Sequence, residues 1–471
     1  MKNIIYILCL SFIVFSCNRE EFLDIEPKGR IIPKKVNDYR LLLDQTEKFG
    51  NTQGLQVISP GFENSYSNTE LASDDVMITE NLSSFYPDGS ISTNIFTQND
   101  NIYTDAQEDG DWQALYGQIY VTNIIIEDIL NAVGGTLDEQ MALKAEAHAH
   151  RAFAYFSLVN LYGVHYNPAT ANEDSGVPLR LGTELSGVQY PRASVQEVYD
   201  VILSDLNEAL DYLPNLPELI HRPSKAGVYS LLARVYLYMG NFEDARDAAN
   251  EALLLSNTLV DFNSYADWFF PGIANPPSLA QDDPEIIWSK SSNSTYNFLI
   301  ASDDYLSLLA VNDQRRRQFG GPFLFGVSGT ESIYTMGFVR NFKPIGPSVP
   351  EMLLTRAECN ARLNNVSLAI DDLNTLREKR MDTGTFEPLA EIDQDVVLNL
   401  VKKERRIELV MKGHRYFDLK RYNVYDSSKI DLVHTYNGST YTLPAGSKNW
   451  ALPIASKYIL QNPEIGENNR D

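Results

Sequence analysis

The amino-acid sequence predicts an all-α protein of tetratricopeptide-like helix pairs with a loop-rich, irregular region packed on them. Three observations carry this. Apolar residues recur at helical spacing through 112–132, 137–162, 195–213 and 222–253, and again through 351–418. LLARVYLYMG (231–240) runs directly into NFEDARDAANEAL (241–253). There Ala233, Tyr236, Gly240, Phe242, Ala245, Ala249 and Ala252 keep the spacing of a tetratricopeptide unit, in which alanines let antiparallel helices approach closely. Finally, 51–110 and 256–350 show no sustained period and are rich in Asn, Ser, Asp and Gly.

The elements follow in order. Lys2, an apolar run from Ile4 to Val14 broken only by Ser11, and Phe15-Ser16-Cys17 form an export-signal layout too short to span a bilayer permanently. Residues 1–16 are expected to be a signal peptide and Cys17 to carry lipid, so that 17–35 is a lipid-anchored leader and the membrane is met through that anchor only. Cys9 leaves with the signal. Cys17 and Cys359 then offer no disulfide framework, and the fold must hold by its core.

A short amphipathic helix is expected from Asp38 to Glu47, followed by long loops over 51–110. Helix 112–132 is stopped by Gly134-Gly135, and a second helix runs from Leu137 to Tyr162, ending at Gly163. Ser194 and Glu197 stand in capping-box spacing before helix 195–213, which Pro214 stops, and Arg222-Pro223-Ser224 opens a fourth helix. Residues 351–380 are a weaker copy of the repeat. The pairs 144–162 with 195–213, and 351–380 with 398–418, extend the series. Between them, 256–350 holds Trp268-Phe269-Phe270-Pro271 and a strand-like EIIWS (285–289); 440–471 reads as short strands and turns.

A formal net charge of −24, with Lys and Arg mostly in ones and twos, disfavours nucleic acid and anionic membrane surfaces as partners. It also disfavours a heavily anionic ligand, except at a local cationic site. Catalytic patterns are equally scarce. His148 and His150 are two apart on a helix and face different ways, so they cannot share a metal as residues four apart do, and no metal site is expected. Cys359, between Ala357 and Ala361, reads as a small buried hydrophobe rather than a nucleophile. No Gly-rich phosphate loop follows a strand, and no cofactor is expected. The charge-dense KKERRIELVMKGHRYFDLKR (402–421) keeps an apolar helical face, and its charges read as structural ion pairs locking one helix to the repeats.

The order of motifs resembles the SusD/RagB family of surface nutrient-binding lipoproteins across nearly the whole chain. The likeness rests on FLDIEPKG (22–29), LYGQIYVTN (115–123), RAFAYFSLVNLYG (151–163) with GVPLR (176–180), RPSKAGVYSLLARVYLYMGNFEDA (222–245), ERRIELVMKGHRYFDLKRYN (404–423) and ALPIASKYILQNPEIGENN (451–469). It implies a superhelix of about four helix pairs, with an N-terminal part (36–255) and a C-terminal part (256–471) forming one compact unit. It also implies a SusC-like TonB-dependent transporter as partner. Asn18-Arg19-Glu20-Glu21 is similar to the signal that places such lipoproteins on the outer face of the outer membrane.

The expected function is thus non-catalytic capture of an oligosaccharide for that transporter. Oligopeptide capture by the same architecture, or a scaffold binding protein only, are the alternatives. Repeat helices spend their apolar residues on each other, so ligand contacts are expected in the two irregular stretches, where aromatic faces hold rings and amides or carboxylates take hydroxyls. The candidates are Asp74, Asp75, Phe85, Tyr86, Phe96, Asn101 and Tyr103 in the first stretch. In the second they are Trp268, Tyr296, Tyr305, Arg317, Phe323 and Phe325. Trp288 reads instead as a core residue and Trp112 as a helix-packing anchor.

Overall fold

The computed structural model describes residues 33–46, 61–66, 68–184, 186–292, 299–321, 329–340, 343–468 and 470; Cys17 lies outside them. The architecture is all-α. Helix α1 (Val36–Leu43) starts two residues earlier than its pattern suggested, because the Asp38 carboxylate accepts from the Lys34 and Lys35 amides at 3.0 and 2.9 Å. A short α2 (Ile91–Phe96) interrupts the first loop region, capped by Ser90. Helix α3 (Gly110–Asp128) begins where the Asp109 carboxylate accepts from the Asp111 and Trp112 amides. Gly134 and Gly135 (φ +81° and +71°) then supply the left-handed turn that ends the segment.

Helix α4 spans Leu137–Tyr162, opened by a Thr136–Glu139 capping box, and α5 spans Val195–Leu210, opened by the expected Ser194–Glu197 box. Helices α6 (Lys225–Met239) and α7 (Phe242–Leu255) turn at Gly240, whose φ of +74° and contact with the Tyr425 ring leave no room for a Cβ. The second irregular stretch carries α8 (Asp303–Leu308) and α9 (Met336–Val339). Helices α10 (Val349–Arg362), α11 (Val366–Glu378), α12 (Gln394–Glu408), α13 (Arg415–Tyr425) and α14 (Ser456–Gln461) follow.

The helices pack in sequence: α3 on α4, α4 on α5, α6 on α7, α7 on α10, and α10 on both α11 and α12. Small residues set the spacing. Ala233, Ala245, Ala249 and Ala252 are fully buried between α6 and α7, as are Ala357, Ala361 and Ala369 between α10 and α11. Trp112 packs against Tyr116, Tyr162 and Tyr458, and Trp288 is fully buried with its indole N–H donating to the His221 carbonyl.

The segment 402–421 corrects the expectation of a single helix. It breaks at 409–414, where Met411 and Gly413 adopt φ of +52° and +78°. Gly413 lies against Tyr66, and a Cβ there would stand 2.7 Å from the Tyr66 ring. Its charges do pair in the interior. Arg405 donates to Asp418 (2.8 Å), Arg421 to Glu358 (2.6 Å), and Arg315 and Arg380 converge on Glu408 at 3.0 Å each.

The irregular stretches are tied together by strands of two residues each. Val76–Met77, Ile300–Ala301, Ile333–Tyr334 and Phe319–Gly320 form one antiparallel four-stranded sheet in that order, drawing on both stretches. Two-residue strands carry no readable alternation, so the sequence hid this layer. Near the C-terminus, Leu432–Tyr436 and Ser439–Leu443 form a hairpin turning at Asn437-Gly438 (φ +49° and +75°). The strand material begins earlier than residue 440, and the Asn-Gly pair was the signal for it.

Candidate functional site

Residues 265–275 leave the helical body as a tight hairpin. Trp268 donates its amide to the Ile273 carbonyl (2.7 Å) and Asn275 donates to Ala266 (3.0 Å), while Gly272 takes a φ of +81° at the tip. Arg317 braces the root. Its Nη2 donates to the Tyr265 and Ala266 carbonyls (3.0 and 3.2 Å) and to Asp267 Oδ1 (2.9 Å), and its own carbonyl accepts from the Ala274 amide at 2.9 Å. Three aromatic rings ride on this frame. Phe269 is 84% exposed, Trp268 and Phe270 are half-buried, and Phe270 lies 5.2 Å from Phe269 and 5.7 Å from Trp268 between ring centres. Phe269 offers an apolar face to solvent, while Trp268 and Phe270 also pack against the core.

Trp268 and Arg317 are therefore brought together, the first as part of the aromatic cluster and the second as its support. Phe269 and Phe270 escaped the sequence-based selection, although aromatics directly before Pro271-Gly272 mark a turn that displays its neighbours.

Asn101 and Tyr103 meet elsewhere. With Pro453, Ile454, Leu460 and Glu467 they line an open cleft of about 520 Å³ between the 100–105 loop and the C-terminal segment. Asn101 is exposed. Tyr103 is largely buried, its hydroxyl accepting from Asn68 Nδ2 (3.0 Å) and donating to Asp109. Arg470 donates to Asp100 at 3.1 Å across the same cleft.

The acidic candidates are committed to guanidinium partners. Asp74 accepts two hydrogen bonds from Arg415 (2.7 and 2.8 Å), and Asp75 accepts from Arg406 Nε at 2.7 Å. Burial pushes the Asp75 carboxyl up to about 6, against the pull of Arg406 and Arg415. Three aromatic candidates belong to the core. Phe96 stacks on His434 at 4.0 Å, Tyr305 is fully buried with its hydroxyl donating to the Ile407 carbonyl (3.3 Å), and Tyr86 is 3% exposed. Phe85 stays on the surface at the end of a 3-10 turn. Tyr296, Phe323 and Phe325 lie outside the described residues.

His148 and His150 do diverge: His148 meets Asp205 at 2.6 Å, while His150 Nδ1 accepts from Lys290 at 3.0 Å. Cys359 is fully buried, and burial pushes its thiol up, away from the reactive thiolate.

The chain is similar to known proteins along most of its length. A SusD-like family model, described as starch-binding and associating with the outer membrane, matches residues 21–237, and a SusD family model matches 350–469. The SusD-like protein P38 of Formosa agariphila is 26% identical over 423 positions, covering 76% of this chain and 78% of that one. The SusD-like protein P25 of the same organism is 23% identical, covering 99% and 98%. Among solved structures, a SusD superfamily protein from Bacteroides thetaiotaomicron superposes with a TM-score of 0.72 at 21% identity, covering 93% of this chain and 100% of that one. A SusD-like carbohydrate binding protein from Bacteroides vulgatus gives 0.66 at 19%, covering 92% and 98%.

Proposed function

Because the chain belongs to the SusD family, we propose that it is a non-catalytic, cell-surface lipoprotein that captures an oligosaccharide and delivers it to a SusC-like TonB-dependent outer-membrane transporter. The observation that carries this is the Trp268-Phe269-Phe270 cluster on its Arg317-braced hairpin. Sugar rings present flat C–H faces that lie against aromatic rings, and a rigid hairpin holds those rings in place before the ligand arrives. The carbohydrate-binding relative from Bacteroides vulgatus supports the same reading. Binding on the order of micromolar to millimolar, roughly −8 to −4 kcal/mol, suits a carrier that must release its cargo.

The experiment is calorimetry of the purified chain against a glycan panel and a peptide mixture. Saturable heat with glycans, weakened by Trp268→Ala and Phe269→Ala at an unchanged melting midpoint, is the expected result. Heat with peptides alone would replace the sugar by an oligopeptide, and turnover of any ligand would end the non-catalytic reading. Anchoring is tested separately: Cys17→Ala should lose metabolic lipid label and leave the membrane fraction.

A further inference from the structure

Behind the aromatic hairpin lies a small chamber of about 40 Å³. The two legs of the hairpin, at Tyr265 and Ala274, form one side of it; Asp283, Arg340, Lys412 and His414 stand among the others. At about 10–15 Å³ for each water-sized centre, the space takes about three or four oxygen-sized groups and no sugar ring.

The carboxylates around it are engaged by guanidinium groups. Asp283 is matched by Arg340 at 2.7 Å and Glu285 by Arg380 at 2.9 Å. Burial pulls the Lys412 ammonium below its ordinary pKa and the Glu408 carboxylate opposes that; Glu408 is itself engaged by Arg315 and Arg380, and among the described residues Lys412 forms no ion pair. Two polar atoms on the chamber wall also lack partners: Tyr265 Oη and His414 Nδ1, the latter on a side chain only 3% exposed. His414 is the residue from which the eleven-residue α13 departs, and no side chain caps that helix. The amides of a helix's first turn favour negative charge. Buried polar groups of a folded protein are nearly always hydrogen-bonded, so a hydroxyl and an imidazole nitrogen without partners, beside the half-buried Lys412 ammonium, point to a polar group that fits there.

We propose that the chamber is a subsite for a carboxylate carried by the ligand, with Lys412 supplying the opposing charge and Tyr265 and His414 donating hydrogen bonds. This rests on the carrier reading above and adds a ligand class to it: a saccharide bearing a uronic acid. A peptide C-terminus is the other source of the same group. Burial keeps the His414 imidazole well below its ordinary protonation range, so it is neutral and carries one N–H to donate.

Calorimetry of the purified chain at low salt should find a glucuronate-terminated oligosaccharide binding about tenfold more tightly than its glucose-terminated counterpart, the scale of one charge-assisted hydrogen bond. Lys412→Met should abolish that advantage, Lys412→Arg should keep most of it, and Tyr265→Phe should reduce it with the fold intact. The advantage should also shrink as salt screens the charge. A preference for free peptide C-termini over uronates, lost in Lys412→Met, would support the same chamber with the peptide as source. Equal affinity for acidic and neutral ligands, or an advantage that survives Lys412→Met, overturns the proposal. That failure is distinct from failure of the carrier reading, in which the chain would bind neither neutral nor acidic ligands.

Discussion

Arg234 and Glu351 meet as a two-point ion pair, Nε to Oε1 and Nη2 to Oε2 each at 2.7 Å, with neither side chain more than 1% exposed. The pair joins α6 of the clear repeat to α10 of its weaker copy, across the long irregular stretch between them. A buried carboxylate left alone is costly, whereas an apolar pair of similar volume need not be. Arg234→Met should therefore destabilise by about 3–5 kcal/mol, and Arg234→Met with Glu351→Leu by clearly less. Urea denaturation of both variants measures this; equal losses would mean the two groups do not act as a unit.

Close helix approach at Ala233 and Ala245 leaves no space for longer side chains, since both are fully buried between α6 and α7. Leu at either position should overpack the interface at about 1–3 kcal/mol. A thermal midpoint unmoved by both changes would contradict the packing.

The hairpin depends on the forked guanidinium of Arg317, whose Nη2 serves two carbonyls and one carboxylate while Nη1 donates to Gln314 Oε1 at 2.9 Å. Arg317→Ala should loosen the aromatic cluster and weaken ligand binding while the helical core stays intact. Arg317→Lys should restore little, because an ammonium lacks the planar fork. Ligand titration beside far-ultraviolet circular dichroism separates the effects: binding equal to that of the unmodified chain would remove Arg317 from the site.

Lys290 predicts a pH dependence. Its Nζ donates to the Phe62 carbonyl (2.5 Å) and to His150 Nδ1 (3.0 Å), and burial pushes its pKa down to about 7 from an ordinary 10.5. The unfolded chain thus holds this proton more tightly than the folded one. The cost of burying the charge is complete below pH 7 and is relieved as pH rises from 7 towards 10.5, giving a slope of at most about 1.4 kcal/mol per pH unit. Lys290→Met should remove that rise. Stability curves for the two proteins that stay parallel between pH 7 and 10 would refute it.

Local signals predicted the elements they govern directly. The capping pair Ser194–Glu197, the stop at Gly163 and the alanine spacing of 231–253 each act over short range, so composition and spacing suffice to place α4, α5 and the α6–α7 pair. The site was less legible. Aromatic candidates were selected because no period committed them, yet Phe96 and Tyr305 are committed by contacts with His434 and Ile407, which lie 338 and 102 residues away. Asp74 and Asp75 likewise look like free acids until Arg415 and Arg406 arrive from the other end of the chain.

The sequence by itself determined the helices, their order and the alanine seams along which they pair, because helix propensity, capping and burial of one face are local or periodic properties. Only the tertiary structure decided which loop aromatics remain open to solvent, how the helix broken at Gly413 turns its charges inward, and why Lys412 is left facing a small polar chamber. Those outcomes depend on contacts between residues far apart in the chain. No short-range pattern encodes them, and folding resolves them through burial and the pairing or hydrogen bonding of most charges that burial encloses.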